Sequence, residues 1–183
     1  MTETQTNNNN LSVSKVLASS GSFKIELIDK IGTMDNPALI EISKSLAIEY
    51  GQRSVLTEKT IDIYFNRDGS LPLIARFQDD IIGYIIGLPL ESLSQEPWAR
   101  LDENYGKFNT VYTYAFVIKN KYKGNGYAKI LKKVYLNWAK KKNYKYITGH
   151  VKQGIAKNFS KNTQIVKIFI CITQIYKEQN RKN

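Results

Sequence analysis

The sequence predicts an α/β protein of the α+β, mixed-sheet kind, with helices flanking a twisted central sheet. Three observations carry this. Apolar segments of strand length recur along the chain, two helical runs separate the first of them from the second, and a loop with two glycines joins one later strand to a long helical run. The element order read from these patterns is βααβββαβαβ, with no internal repeat.

Met1 to Gly21 is polar and rich in Asn, Ser and Thr, and reads as a flexible tail. Residues 22–183 are expected to form a single domain, which the chain length suits. Ser22 to Ile31 alternates apolar and polar residues, the pattern of a strand. Asp35-Asn36-Pro37 opens a helix, with proline in the first turn; Leu39, Ile42, Leu46 and Tyr50 recur at helical spacing, and Gly51 ends it. Thr57 to Phe65 reads as a second, shorter helix. Leu71–Phe77 and Ile81–Leu88 are two strands of an antiparallel hairpin around Gln78-Asp79-Asp80. Pro89 to Asn109 is a long connection, a length that often carries function. Val111–Ile118 is a strand, and Gly126 to Lys142 is a helix with Ile130, Leu131, Val134, Leu136 and Trp138 on its packing side. Tyr144–Val151 is a strand, Gly154–Lys161 a short helix, and Ile165–Tyr176 a final strand.

No apolar run approaches the roughly 20 residues that span a bilayer, and the polar N-terminus has no apolar core of a secretory signal. No membrane partner is therefore expected. Cys171 is the one cysteine; it cannot form an internal disulfide, which fits a reducing cytoplasm. With one histidine, His150, and one cysteine, no His/Cys metal cluster is expected. The net charge is +11 and unevenly spread. Residues 1–103 hold 9 Lys+Arg against 15 Asp+Glu, and residues 104–183 hold 18 against 1, with no acid from Asn104 through Lys177. The basic half should attract polyanions.

The glycine loop, Lys123-Gly124-Asn125-Gly126-Tyr127-Ala128, concentrates the chemistry. Glycines at a strand-to-helix junction let backbone N–H groups converge, and the positive end of the helix adds to them, which makes a phosphate site. Each such charge interaction contributes about 0.3–1 kcal/mol, more where partly buried. The same glycines would also serve a plain turn that needs a positive φ.

The element order, with this loop after the fourth strand, resembles the GNAT superfamily of acetyltransferases, whose signature there is Q/R-x-x-G-x-G/A. Lys123 to Ala128 follows it with Lys for Gln/Arg. Gln78 to Gly87 looks like the family's second hairpin, and Leu131 to Val151 like its long helix and fifth strand. The resemblance spans about Ser22 to Ser160. It implies an acetyl-CoA-dependent N-acetyltransferase, with acetyl-CoA as cosubstrate and no metal. It implies that the amides of Lys123, Gly124, Asn125, Gly126, Tyr127 and Ala128 hold the pyrophosphate. It also implies that Phe116, Val117 and Ile118 line the pantetheine arm, where an amide would polarise the thioester carbonyl.

Two features depart from the family pattern. Where the family commonly places a proton-donating tyrosine, this chain has Phe159 and Ser160. After the last helix the family closes its sheet with two strands, whereas a single apolar run is expected here. The catalytic acid and base are left unassigned: Glu91, Glu96, Asp102 and Glu103 in the long connection, and Ser160 and Tyr176, are the candidates. His150 reads as structural. An acceptor amine with a pKa near about 10 must lose a proton before attack, and the charge split suits a cationic one, such as a polyamine, amino sugar, amino acid or peptide amine. A monomer or a homodimer would serve. Two other readings remain open: a basic nucleic-acid-binding module, its lysines interleaved with tyrosines, and a CoA-binding protein of this fold without catalysis.

Overall fold

The structure is a computed structural model; it describes residues 10–151, 163–166 and 171–175. The strands are β1 (Val13–Ser20), β2 (Phe23–Lys30), β3 (Leu71–Phe77), β4 (Asp80–Pro89), β5 (Thr110–Ile118), β6 (Tyr146–Thr148), β7 (Thr163–Val166) and β8 (Cys171–Ile175). The helices are α1 (Asn36–Tyr50), α2 (Glu58–Phe65), the one-turn α3 (Pro97–Arg100) and α4 (Tyr127–Lys141). The fold is the expected mixed α/β one, with order ββααββαβαβββ among the described residues in place of βααβββαβαβ.

The chain forms two compact units. The first comes from the chain up to Ile86 and from Ala115–Tyr135, the second from Gly87–Tyr114 and from Leu136 onward. In the first unit the strand order is β1-β2-β3-β4-β5, and β1, β2 and β3 pair antiparallel. Its core is the apolar face of these strands with α1 and α2: Ile25, Leu39, Ile61, Phe65, Leu73, Ile82 and Tyr84 are fully buried. The helix signals work as expected at Gly51, which leaves α1 at φ +84°, and at Thr57, which caps α2 reciprocally with Thr60. Gln78, at φ +55°, makes the tight turn between β3 and β4.

Of the tail expected from Met1 to Gly21, residues 1–9 lie outside the described residues, and the rest is corrected: Val13–Ser20 is a strand, paired with β2 through two register shifts. Most of its side chains are exposed, so backbone hydrogen bonds hold it and no apolar face announces it. The residues before it dock on the turn ahead of α1. The Met34 amide donates to the Asn10 carbonyl (3.1 Å), and the Gly32 amide donates to Ser12 Oγ (2.8 Å). A Cβ on Gly32 would lie 2.3 Å from the Leu11 carbonyl carbon, so glycine permits the close approach. Asp35 leads into α1 but does not cap it. Its carboxylate accepts from Ser12 Oγ (2.6 Å) and Arg76 Nη2 (2.6 Å), while Arg76 Nε donates to Glu26 (2.9 Å).

In the second unit the order is β5-β6-β8-β7, with β5 parallel to β6 and the remaining pairs antiparallel. The expected single C-terminal strand is thereby corrected to two, β7 and β8, which removes one stated departure from the family pattern. β6 is shorter than expected, and the expected helix Gly154–Lys161 lies outside the described residues. Along α4, Leu131, Tyr135 and Ala139 are buried one turn apart; Ile130, expected on the packing side, is 41 % exposed. No helix among the described residues is long and apolar enough to cross a membrane.

Candidate functional site

In the first unit, β5 runs into a single 3-10 turn at Asn120–Tyr122, then the glycine loop, then α4. Gly124 and Gly126 sit at φ +88° and +80°. A Cβ on either would meet nothing within 4 Å. The backbone conformation, not crowding, therefore requires glycine, and the space over the loop is open. The Ile130 amide donates to the Gly126 carbonyl (3.1 Å), so the helix ladder starts there. The amides of Tyr127, Ala128 and Lys129 are the first-turn donors that a helix leaves without an internal acceptor. Lys123 is exposed beside them, and the first turn carries no acid to compete with an anion.

Aromatic side chains anchor both ends of this loop. The Tyr127 ring stacks on Phe23 with centroids 4.6 Å apart, and Phe77 lies 5.9 Å from both Tyr122 and Tyr127. The Tyr127 ring thus fixes the helix start to β2 and β3. Open space, positive-φ glycines and the first-turn amides of a helix suit a phosphate group.

On the same unit's part of β5, Phe116 is 39 % exposed while Val117 and Ile118 are buried. A Cβ on Gly83 would lie 2.3 Å from Ile118 Cδ1 and 2.5 Å from the Val117 carbonyl oxygen. Gly83 lets β4 close against β5 at this point, and the Lys119 amide donates to the Ile82 carbonyl (2.8 Å).

The second unit holds the carboxylate candidates. Glu91 accepts from the Gly106 amide (3.2 Å) and the Phe108 amide (2.8 Å), which ties the long connection to itself. Glu96 and Glu103 are exposed. Asp102 accepts from the Asn104 amide (2.8 Å) and is half-buried. Ser160 and Tyr176 lie outside the described residues.

His150, expected to be structural, stands in an aromatic cluster here. The Tyr112 hydroxyl and His150 Nδ1 are 2.8 Å apart. Trp98 of α3 packs against both, with centroids 4.6 Å from Tyr112 and 4.7 Å from His150, the latter edge-on at 85°. Burial pushes the His150 pKa below its ordinary value, and the charge of Asp102 partly opposes this. The signal for the pair was in the strand order: parallel β5 and β6 set Tyr112 opposite Thr148, two residues before His150.

Three of the tyrosines interleaved with lysines are committed to packing. Tyr112 and Tyr135 are buried and Tyr127 is stacked on Phe23, which weakens the nucleic-acid reading. Among the described residues no group of three or more His, Cys, Asp or Glu side chains could hold a metal ion.

A loop of positive-φ glycines under open space joins a strand to a long helix on a mixed sheet. The family model described as the Acetyltransferase (GNAT) family matches residues 37–158, and the chain belongs to that family. Comparison with curated protein sequences gives no match. Solved structures share the fold. PaiA N-acetyltransferase from Thermoplasma acidophilum, in complex with coenzyme A, is 16% identical, with 83% of this chain and 99% of that one covered at a TM-score of 0.55. The GNAT domain of S. lividans PAT is 12% identical, covering 91% and 96% at a TM-score of 0.63. Ribosomal-protein-alanine N-acetyltransferase from Brucella melitensis is 15% identical, covering 78% and 95% at 0.57. At such identities the likeness bears on the fold alone.

Proposed function

We propose that the chain is an N-acetyltransferase that moves an acetyl group from acetyl-CoA to an amine acceptor. The loop carries this reading: two positive-φ glycines under open space, next to the donor end of a 15-residue helix. The amides of Gly124 to Ala128 would hold the pyrophosphate, with Lys123 as a point charge that lacks arginine's fork. Phe116, Val117 and Ile118 would line the pantetheine arm, and an amide of that segment would stabilise the oxyanion as the carbonyl is attacked. Acetyl-CoA supplies the activated thioester; the chain's own residues bind it, orient it and handle the proton.

The charge split supports a cationic acceptor, because the acid-free half suits the polyanionic cosubstrate and the acids lie in the other half. Thiol release from acetyl-CoA should be fastest with spermidine, kanamycin or a peptide bearing a free N-terminal amine. It should be at least about tenfold slower with an uncharged aromatic amine or with glutamate. Preference for the neutral or acidic amines would reject the cationic acceptor while leaving acetyl transfer standing.

A further inference from the structure

His150, the chain's one histidine, has no assigned part in the acetyl transfer proposed above. It stands in the second unit, among groups that all belong to that unit. β5 supplies Tyr112, whose hydroxyl lies 2.8 Å from His150 Nδ1. α3 supplies Trp98, whose ring meets the imidazole at 85° and also packs against Tyr112. Tyr112 is buried and His150 half-buried. The one-turn helix of the long connection therefore rests on the sheet partly through this imidazole.

Few charges act on it. β5 and β6 carry no charged side chain, and Tyr146, the titratable group of β6, pairs with Thr110 rather than with Tyr112. Arg100, the charged residue of α3, donates to the Ser94 carbonyl. Burial lowers the His150 pKa below its ordinary value, and Asp102, just after α3, is the acid that opposes this.

We propose that the cluster is an acid-sensitive latch: neutral His150 holds α3 and the long connection on β5 and β6, and protonation of His150 releases them. In the neutral pair one proton lies between the Tyr112 oxygen and His150 Nδ1, whichever of the two donates. Imidazolium has no lone pair at Nδ1, so the Tyr112 oxygen can only accept from it and must turn its own proton away inside a buried site. The added charge also lies among aromatic rings, half out of water. Release hydrates both groups.

Docked His150 binds a proton less readily than a solvated histidine, whose pKa is about 6.5. Docking is therefore at full strength above that value and weakens as pH falls below it toward the lower docked pKa. The connection yields before the sheet because α3 is a single turn and Glu91 ties the connection to itself, through the Gly106 and Phe108 amides.

The test uses the full chain from about pH 8 to about pH 5. NMR of the single histidine's ring protons gives the His150 midpoint. Acrylamide quenching of Trp98 emission in a Trp138→Phe background reads the release of α3, and far-UV circular dichroism reads the sheet. The midpoint should lie below about 6.5. Trp98 quenching should rise at least about twofold through the same midpoint while the sheet signal stays constant. Adding His150→Gln, which stays neutral, should remove the rise. A midpoint at or above about 6.5, quenching that is flat with pH, a rise that survives His150→Gln, or a rise accompanied by loss of the sheet signal overturns the proposal. Should either variant fail to fold, the Trp98 indole N–H resonance of the unsubstituted chain decides: it should move with the His150 midpoint, and an unmoved resonance overturns the latch.

Discussion

Replacing Gly126 with valine should weaken CoA binding by about ten- to a hundredfold while leaving the protein folded. Gly126 has φ +80°, a conformation that costs a β-branched residue about 1–3 kcal/mol. The loop can relieve that strain by rotating its peptides, because nothing lies within 4 Å of the added Cβ to resist the movement. The rotation turns amides away from the point where they converge. Each lost interaction with the pyrophosphate is worth about 0.3–1 kcal/mol, up to about 2 where partly buried, so two or three of them account for the expected fall. Gly21 makes a control, since it also has a positive φ, +55°, and open space around a Cβ, but lies between β1 and β2. Gly21→Val should leave CoA affinity alone. Calorimetric titration of both variants checks the pair, and equal affinity for Gly126→Val and wild type would rule out the cradle.

Arg76→Ala should cost about 3–5 kcal/mol of stability. Arg76 joins two carboxylates that are nearly as enclosed as itself: side-chain exposures are 14% for Arg76, 8% for Glu26 and 16% for Asp35. Burial disfavours the guanidinium charge, yet hydrogen bonds to Asp35 and Glu26 outweigh this and raise its pKa above the ordinary value. Removing the cation leaves Asp35 with Ser12 Oγ and Glu26 with Lys24 Nζ (3.4 Å) in a partly dry site, which is the expensive way to break such a network. Asp35 also receives Ser12 Oγ, so the damage should reach the start of the chain. Urea unfolding measures the loss, and amide exchange at Gly32 and Met34, which bond to Ser12 and Asn10, should quicken. A loss under about 1 kcal/mol would mean that solvent replaces the guanidinium at little cost.

The elements that sequence made legible are those whose local chemistry and burial agree. Pro37 and Gly51 bound α1, Thr57 caps α2, Gln78 turns the hairpin, and the apolar runs 71–77, 81–88 and 111–118 become strands because both faces of the sheet are covered. β1 was not legible, because its side chains stay largely in solvent and its hydrogen bonds to β2 leave no mark on hydrophobic period. The run 165–176 read as one strand because continuous apolar character does not show where a chain turns. For the site, the loop was legible since its glycines are demanded by backbone conformation. The Tyr112–His150 pair was not, since its partners are 38 residues apart and meet only through the parallel pairing of β5 with β6.

The central claim is that the loop from Lys123 to Ala128 holds the pyrophosphate of CoA. Calorimetric titration of the full chain with CoA tests it most directly. Saturable binding at one site, accompanied by a rise in Tm and weakened by added salt, is the predicted result. A titration without heat, together with an unmoved Tm at millimolar CoA, would contradict it.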